Sequence, residues 1–163
     1  MLPAMSRPDR ERFLAEPRVG VLSVTDSRGG DRAPLTVPVW YGYEPGGEVV
    51  VQTGRQTIKA QLLRAAGRFS LCVQDEGRPY RYVSVEGPIT AIGDPVGAAV
   101  REGLARRYLD DAEEARGYLA ATADQLTDDI VFRMRPQHWR SADFSAFAAD
   151  FAEAGAGEGP GTP

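Results

Sequence analysis

Between residues 19 and 53 the chain alternates residue by residue and breaks at Gly- or Pro-containing turns, a period that suits strands and not helices. Residues 19–26 set Val19, Val21, Ser23 and Thr25 against Gly20, Leu22, Val24 and Asp26. After the turn Ser27-Arg28-Gly29-Gly30-Asp31, residues 34–44 set Leu35, Val37, Val39, Tyr41 and Tyr43 against Thr36, Pro38, Trp40 and Gly42. Pro45-Gly46-Gly47 turns the chain into a third strand over residues 48–53. Three strands joined by short loops read as an antiparallel meander.

The period then changes. Ile58, Leu62, Leu63 and Ala66 recur at helical spacing, so a short helix over residues 56–66 is expected, closed by Gly67. Residues 69–74 read as a fourth strand and residues 80–92 as a long fifth, with Gly87-Pro88 inside it. Proline cannot donate a ladder hydrogen bond, so that dipeptide marks a bend of the kind that curls a sheet into a barrel. Residues 95–126 read as helix in two pieces, and residues 129–135 as the sixth strand. A short amphipathic helix over the first 15 residues, stopped by Pro17, precedes all of this. The expected class is mainly β (α+β): a six-stranded antiparallel sheet with short helices. One domain spans residues 1–141, a docking helix residues 142–153, and a disordered Gly/Ala/Pro tail residues 154–163.

Composition removes several function classes. With one cysteine (Cys72) and one histidine (His138), intramolecular disulfides and multi-cysteine or multi-histidine metal centres are excluded. A net charge of −4 argues against nucleic acid or an anionic membrane as partner. No long apolar run or signal-like segment is present, so a cytoplasmic protein is expected. Eighteen of the 19 basic residues are Arg; the exception is Lys59. With the abundant Ala, Gly and Pro, this points to a GC-rich source.

That lysine sits in Thr53-Gly54-Arg55-Gln56-Thr57-Ile58-Lys59, a strand end passing through a Gly turn into a helix start. A helix N-terminus carries unpaired N–H groups and partial positive charge. Thr53, Arg55, Thr57 and Lys59 add hydroxyl, guanidinium and ammonium donors, which together suit a phosphate. The alternative is a solvated helix start, with Thr57 as its cap and Lys59 in water.

Here the chain resembles a known family. The order of elements is similar to the split β-barrel of the pyridoxamine 5′-phosphate oxidase superfamily, which includes flavin/deazaflavin-dependent oxidoreductases of actinobacteria. The resemblance is carried by Val19-Gly20-Val21-Leu22-Ser23-Val24, Pro38-Val39-Trp40-Tyr41, Thr57-Ile58-Lys59, Arg68-Phe69-Ser70-Leu71-Cys72-Val73, Pro79-Tyr80-Arg81-Tyr82-Val83-Ser84-Val85-Glu86-Gly87 and Met134-Arg135-Pro136-Gln137-His138-Trp139. It covers about residues 7 to 141 and departs from many relatives at Leu62-Leu63 and Ala66-Gly67. It implies a homodimer with two cofactor sites at the subunit interface. By position it implies that Lys59, assisted by Thr53 and Thr57, grips cofactor phosphate. It also implies that the backbone at Thr36, Val37, Pro38 and Val39 faces a tricyclic ring, and that Trp139 lies near the cofactor. Pro38 would leave a gap for such a ring, or simply mark an edge strand. Trp40, Tyr41, Tyr43, Tyr80 and Tyr82 are either core and dimer contacts or a ring-stacking surface. Arg81 either meets an anionic cofactor tail across the interface or is a surface arginine.

The resulting expectation is an oxidoreductase. It would use coenzyme F420, or alternatively FMN, for hydride transfer to a small unsaturated or quinone-like acceptor. The chemistry lies on the ring, so no catalytic side chain is needed and no metal is assigned. Two alternatives are a haem-binding or haem-degrading split barrel, with His138 as axial ligand, and a non-catalytic flavin or deazaflavin carrier. Cys72, mid-strand between Leu71 and Val73, reads as a buried inert thiol.

Overall fold

Trp40 is the corner of the molecule. In the computed structural model, which describes residues 4–145, 147 and 148, the chain runs α1 (Arg7–Ala15), β1 (Gly20–Val24), β2 (Leu35–Val39), β3 (Tyr41–Gly42), β4 (Val49–Gly54) and α2 (Ile58–Ala66). It continues through β5 (Arg68–Gln74), β6 (Arg81–Gly93), α3 (Ala98–Tyr108), α4 (Ala112–Ala121), α5 (Ala123–Leu126), β7 (Asp129–Met134) and β8 (His138–Asp143). The sheet order is β2-β1-β5-β6-β7-β4-β3, with β8 on β6. The two ends of that path, β2 and β3, are neighbours in sequence with only Trp40 between them. The pairing therefore curls round on itself, as a split barrel does.

The antiparallel class is as expected, and among the described residues the strand count is corrected from six to eight. The segment read as one strand over residues 34–44 divides at Trp40: β2 pairs with β1, whereas β3 pairs with β4. The eighth strand is the 138–143 segment, which pairs with β6 from Arg81↔Asp143 to Glu86↔His138. It takes up the first two residues of the expected docking helix; half of that helix (residues 146 and 149–153) and the whole tail lie outside the described residues.

Gly87-Pro88 does mark the bend. Up to Pro88, β6 pairs with β5; from Ile89 on it pairs with β7, with a register shift between Ile89 and Ala91. Inward positions form one core, including Leu22, Val24, Tyr41, Val49, Val51, Leu71, Val83, Val85, Ile130 and Phe132, all at most 2% exposed. α2 lies against β1, β4 and β5 and buries Ala60, Leu62 and Leu63. Gly67, left-handed at φ 64°, ends it by donating its N–H to the Leu63 carbonyl. Among the described residues no helix is long and apolar enough to cross a membrane.

α1 is fastened by its own unpaired carbonyls. The Tyr41 hydroxyl donates to Leu14 O at 2.7 Å, and Arg107 donates to the carbonyls of Ala15 (2.6 Å) and Glu16 (2.9 Å). Burial pushes the Tyr41 phenol up to about 12. Above pH 10 an unfolded chain would ionise this phenol while the folded one would not. Stability is thus fully present below pH 10 and lost as pH rises towards 12, by about 2–3 kcal/mol. Tyr41→Phe, compared with the parent in denaturant titrations at pH 8 and pH 11, should show the smaller alkaline loss. Equal losses would contradict the assignment.

Candidate functional site

β4 leads directly into the candidate anion site. Its last pairs are Thr53↔Ile130 and Gly54↔Asp129. Thr57 then caps α2: its hydroxyl donates to Gly54 O (2.8 Å) and accepts from Ala60 N (3.1 Å). Thr53, only 8% exposed, has its Oγ1 3.2 Å from that of Thr57. Since the Thr57 proton is directed to Gly54, Thr53 is the donor of this pair. Both hydroxyls therefore stiffen the junction.

Lys59 lies in the first turn of α2 and is half-buried. Burial lowers its pKa, and the nearby Asp129 carboxylate opposes that shift. Among the described residues its ammonium has no hydrogen-bond acceptor and no ion pair. Arg55 Nη2 contacts Asp94 Oδ1 at 2.5 Å, and Arg64 shares the same carboxylate at 3.0 Å. The Arg55 Nε is buried with no partner. A half-buried cation and an orphaned N–H at a helix start are donors without acceptors, and they suit a phosphate oxygen.

Beside this junction lies a cavity of about 210 Å³ lined by Trp40, Gln52, Arg101, Leu104, Tyr118 and Asp129, among others. Gln52 Nε2 donates to Asp129 Oδ2 at 2.8 Å. Trp40 stacks on Tyr108, with ring centroids 4.9 Å apart and planes 6° apart, and Tyr118 lies tilted at 5.7 Å. Tyr108 is fixed in turn: its hydroxyl accepts from Tyr41 N (3.1 Å) and donates to Arg18 O (2.7 Å). Asp129 joins the two regions, facing Lys59 electrostatically and lining the cavity. Gln52, Arg101, Tyr118 and Asp129 escaped the sequence reading. Gln52 carried a weak signal, as a polar residue on the outward face of a valine strand. Asp129 carried none, since only the β4–β7 register sets it opposite Gly54.

On β2, Thr36 and Pro38 point outward and are exposed, while Val37 and Val39 point inward. β2 pairs only with β1, so Pro38 occupies an edge strand. The other anticipated residues lie apart from Lys59 within the single chain. Tyr80 is 55% exposed, and Arg81 is bound to Asp75 at 2.7 Å, a carboxylate that Arg18 also holds at 3.0 Å. Trp139 packs between Arg10, 4.8 Å above its ring, and the edge of Tyr43 at 6.2 Å. It borders the Gly46-Gly47 turn, at the opposite end of β4 from Thr53. Thr53 stands four positions along the strand from Val49, roughly 13 Å away. His138 is exposed on β8. Burial raises the pKa of the Cys72 thiol, which keeps it protonated.

The family description pyridoxamine 5′-phosphate oxidase matches residues 6–142, nearly the whole of the barrel. The chain belongs to this family. Among the solved structures that share its fold are the following three. One named F420 reductase is 21% identical, with a TM-score of 0.62, covering 80% of this chain and 94% of its own. An FAD-binding protein from Mesorhizobium loti is 19% identical, with a TM-score of 0.57 and coverages of 86% and 96%. A heme binding protein from Mycobacterium smegmatis is 22% identical, with a TM-score of 0.55, covering 89% of this chain and 61% of its own. No curated protein matches the sequence. At these identities the likeness establishes the fold, and the cofactors named belong to those proteins.

Proposed function

We propose that this family member is an oxidoreductase. It binds coenzyme F420, or alternatively FMN, and passes a hydride to a small unsaturated or quinone-like acceptor. The observation that carries the reading is the half-buried ammonium of Lys59, which has no acceptor at the β4–α2 junction. The similarity to an F420 reductase and to an FAD-binding protein supports a flavin-type ring. When bound, such a ring supplies two-electron hydride chemistry itself.

The chain's own residues then have simple tasks. Lys59 neutralises a phosphate, and the first N–H groups of α2 add their partial positive charge. Thr53 and Thr57 hold the junction rigid, and Arg55, braced by Asp94, offers its free Nε–H. Trp40, held in place by stacking on Tyr108, gives the neighbouring cavity an aromatic wall.

We also propose that two copies pair through the outer face of β1, β2, β5 and β6. Pro38, Val21, Cys72 and Ser84 lie directly opposite one another there, with Val21 40% exposed. A second copy would cover this apolar row. In that dimer Tyr80, Arg81 and Trp139, remote from Lys59 in one chain, serve the site formed with the other chain. Light scattering after gel filtration should give a dimeric mass for the parent and a monomeric one for Val21→Arg. A monomeric parent would overturn the pairing.

The cofactor test is a visible spectrum of the purified protein followed by fluorescence titration with F420 and FMN. Binding tighter than tens of micromolar is expected for one of them. Failure of both would overturn the reading. A Soret band lost in His138→Ala would favour haem instead, and tight binding without turnover of any acceptor would reduce the protein to a carrier.

A further inference from the structure

Trp139 lies at the meeting point of three arginines from different elements, none with a carboxylate partner among the described residues. Arg10 comes from α1, Arg135 from the link after β7, and Arg140 from β8. Two adjoining depressions, of about 280 Å³ and 560 Å³, share Arg10, Gln137 and Trp139 as the ridge between them. Arg135 lines the first and Arg140 and His138 the second. The carboxylates in the lining are Glu11, already held by Arg7 at 3.0 Å, and Glu86.

Arg18, Arg28, Arg55, Arg64, Arg81 and Arg106 engage carboxylates at 3.0 Å or less, whereas the three arginines around Trp139 keep their guanidinium groups free of such pairs, among the described residues, beside shared depressions. The whole chain is acidic, at −4, yet here three guanidinium groups accumulate around two open depressions. Arg10 is also held in place: its guanidinium lies over the Trp139 ring, and its Nε is buried without a partner. A planar, oriented fork of this kind suits carboxylate or phosphate oxygens. Because Arg10 stands on the ridge, it can serve an anionic group in either lobe, and a molecule with two such groups engages both.

We infer that this two-lobed depression binds a small polyanion carrying at least two carboxylate or phosphate groups. Within one chain it lies at the other end of β4 from Lys59; the proposed dimer brings Trp139 towards a cofactor site, so the Lys59→Ala variant separates the two readings. The chain has two tryptophans, so Trp40→Phe leaves Trp139 as the sole indole and a local reporter. In that background, tricarballylate and pyrophosphate titrated at constant ionic strength should change the Trp139 emission saturably. Adding Arg135→Gln and Arg140→Gln, both at exposed positions, should weaken binding at least ten-fold with the circular dichroism unchanged. If that pair fails to fold, Arg140→Gln alone should weaken it several-fold. Lys59→Ala should leave it as it was. Tricarballylate that competes with F420 would assign the site to the anionic tail of a larger ligand, and independent binding would assign it to a free polyanion; either result upholds the site. No saturable change, an equal response in the arginine variants, or the same response to chloride would overturn it.

Discussion

Gly87→Ala should prevent the barrel from closing. A Cβ at Gly87 would stand 1.9 Å from the Arg135 carbonyl oxygen and 2.9 Å from its carbon. Those are backbone atoms held in place on both sides. Arg135 N donates to Pro88 O at 3.0 Å, and Gln137 N donates to Glu86 O at 2.9 Å. The link between β7 and β8 therefore crosses directly over Gly87, and no side-chain rotation can relieve the clash. Separating the strands would break those hydrogen bonds and open the core around Met134 and Phe69, at a cost above about 4 kcal/mol. Against a total stability of roughly 5–15 kcal/mol, that removes most of the margin. Gly103→Ala is the matched control, since a Cβ there meets nothing within 4 Å. Mid-helix, it should gain up to about 1 kcal/mol. Urea titrations of the three proteins decide the matter. A Gly87→Ala midpoint equal to the parent's would show that the crossing is looser than described.

Lys59→Ala should separate binding from stability. Losing a charge-assisted hydrogen bond to phosphate costs about 1.5–3 kcal/mol, roughly a 10- to 150-fold loss of F420 or FMN affinity. The free protein should unfold no more easily, because the lysine is desolvated and has no acceptor of its own. Two pH trends follow from its lowered pKa. Folding disfavours the charged form, so the lysine's contribution to stability of the free protein improves as pH rises through that depressed value. Phosphate needs the ammonium, so binding fades over the same range. Titration of the cofactor into parent and variant at pH 7 and pH 10 reads the binding trend, and urea titration of the free proteins at the same two pH values reads the stability trend. Affinity of Lys59→Ala equal to the parent's at pH 7 would place the phosphate elsewhere.

Local sequence carried much of this protein. Alternation in residues 49–53 named a strand and its buried face, because a period of two has one geometric meaning. Thr57 and Gly67 bracketed α2, since a hydroxyl cap and a left-handed glycine act within one turn of chain. Pro88 announced a bend because it lacks an N–H. Lys59 stood out as the lone ammonium at a helix start, and the order of motifs pointed to the family.

What local pattern could not supply is whatever depends on strands meeting at long range. Alternation continues unbroken through Val39, Trp40 and Tyr41, so nothing announces that the ladder partner changes from β1 to β4 at that point. The need for a glycine at position 87 comes from a carbonyl 48 residues further on. Asp129 reaches Lys59, and Arg135 and Arg140 reach Arg10, only because sheet register carries distant segments to the same place. Propensity and capping act over a few residues and are written in the chain itself. Closure, crossing and the gathering of charge arise from the pairing of remote strands, and only the folded molecule decides them.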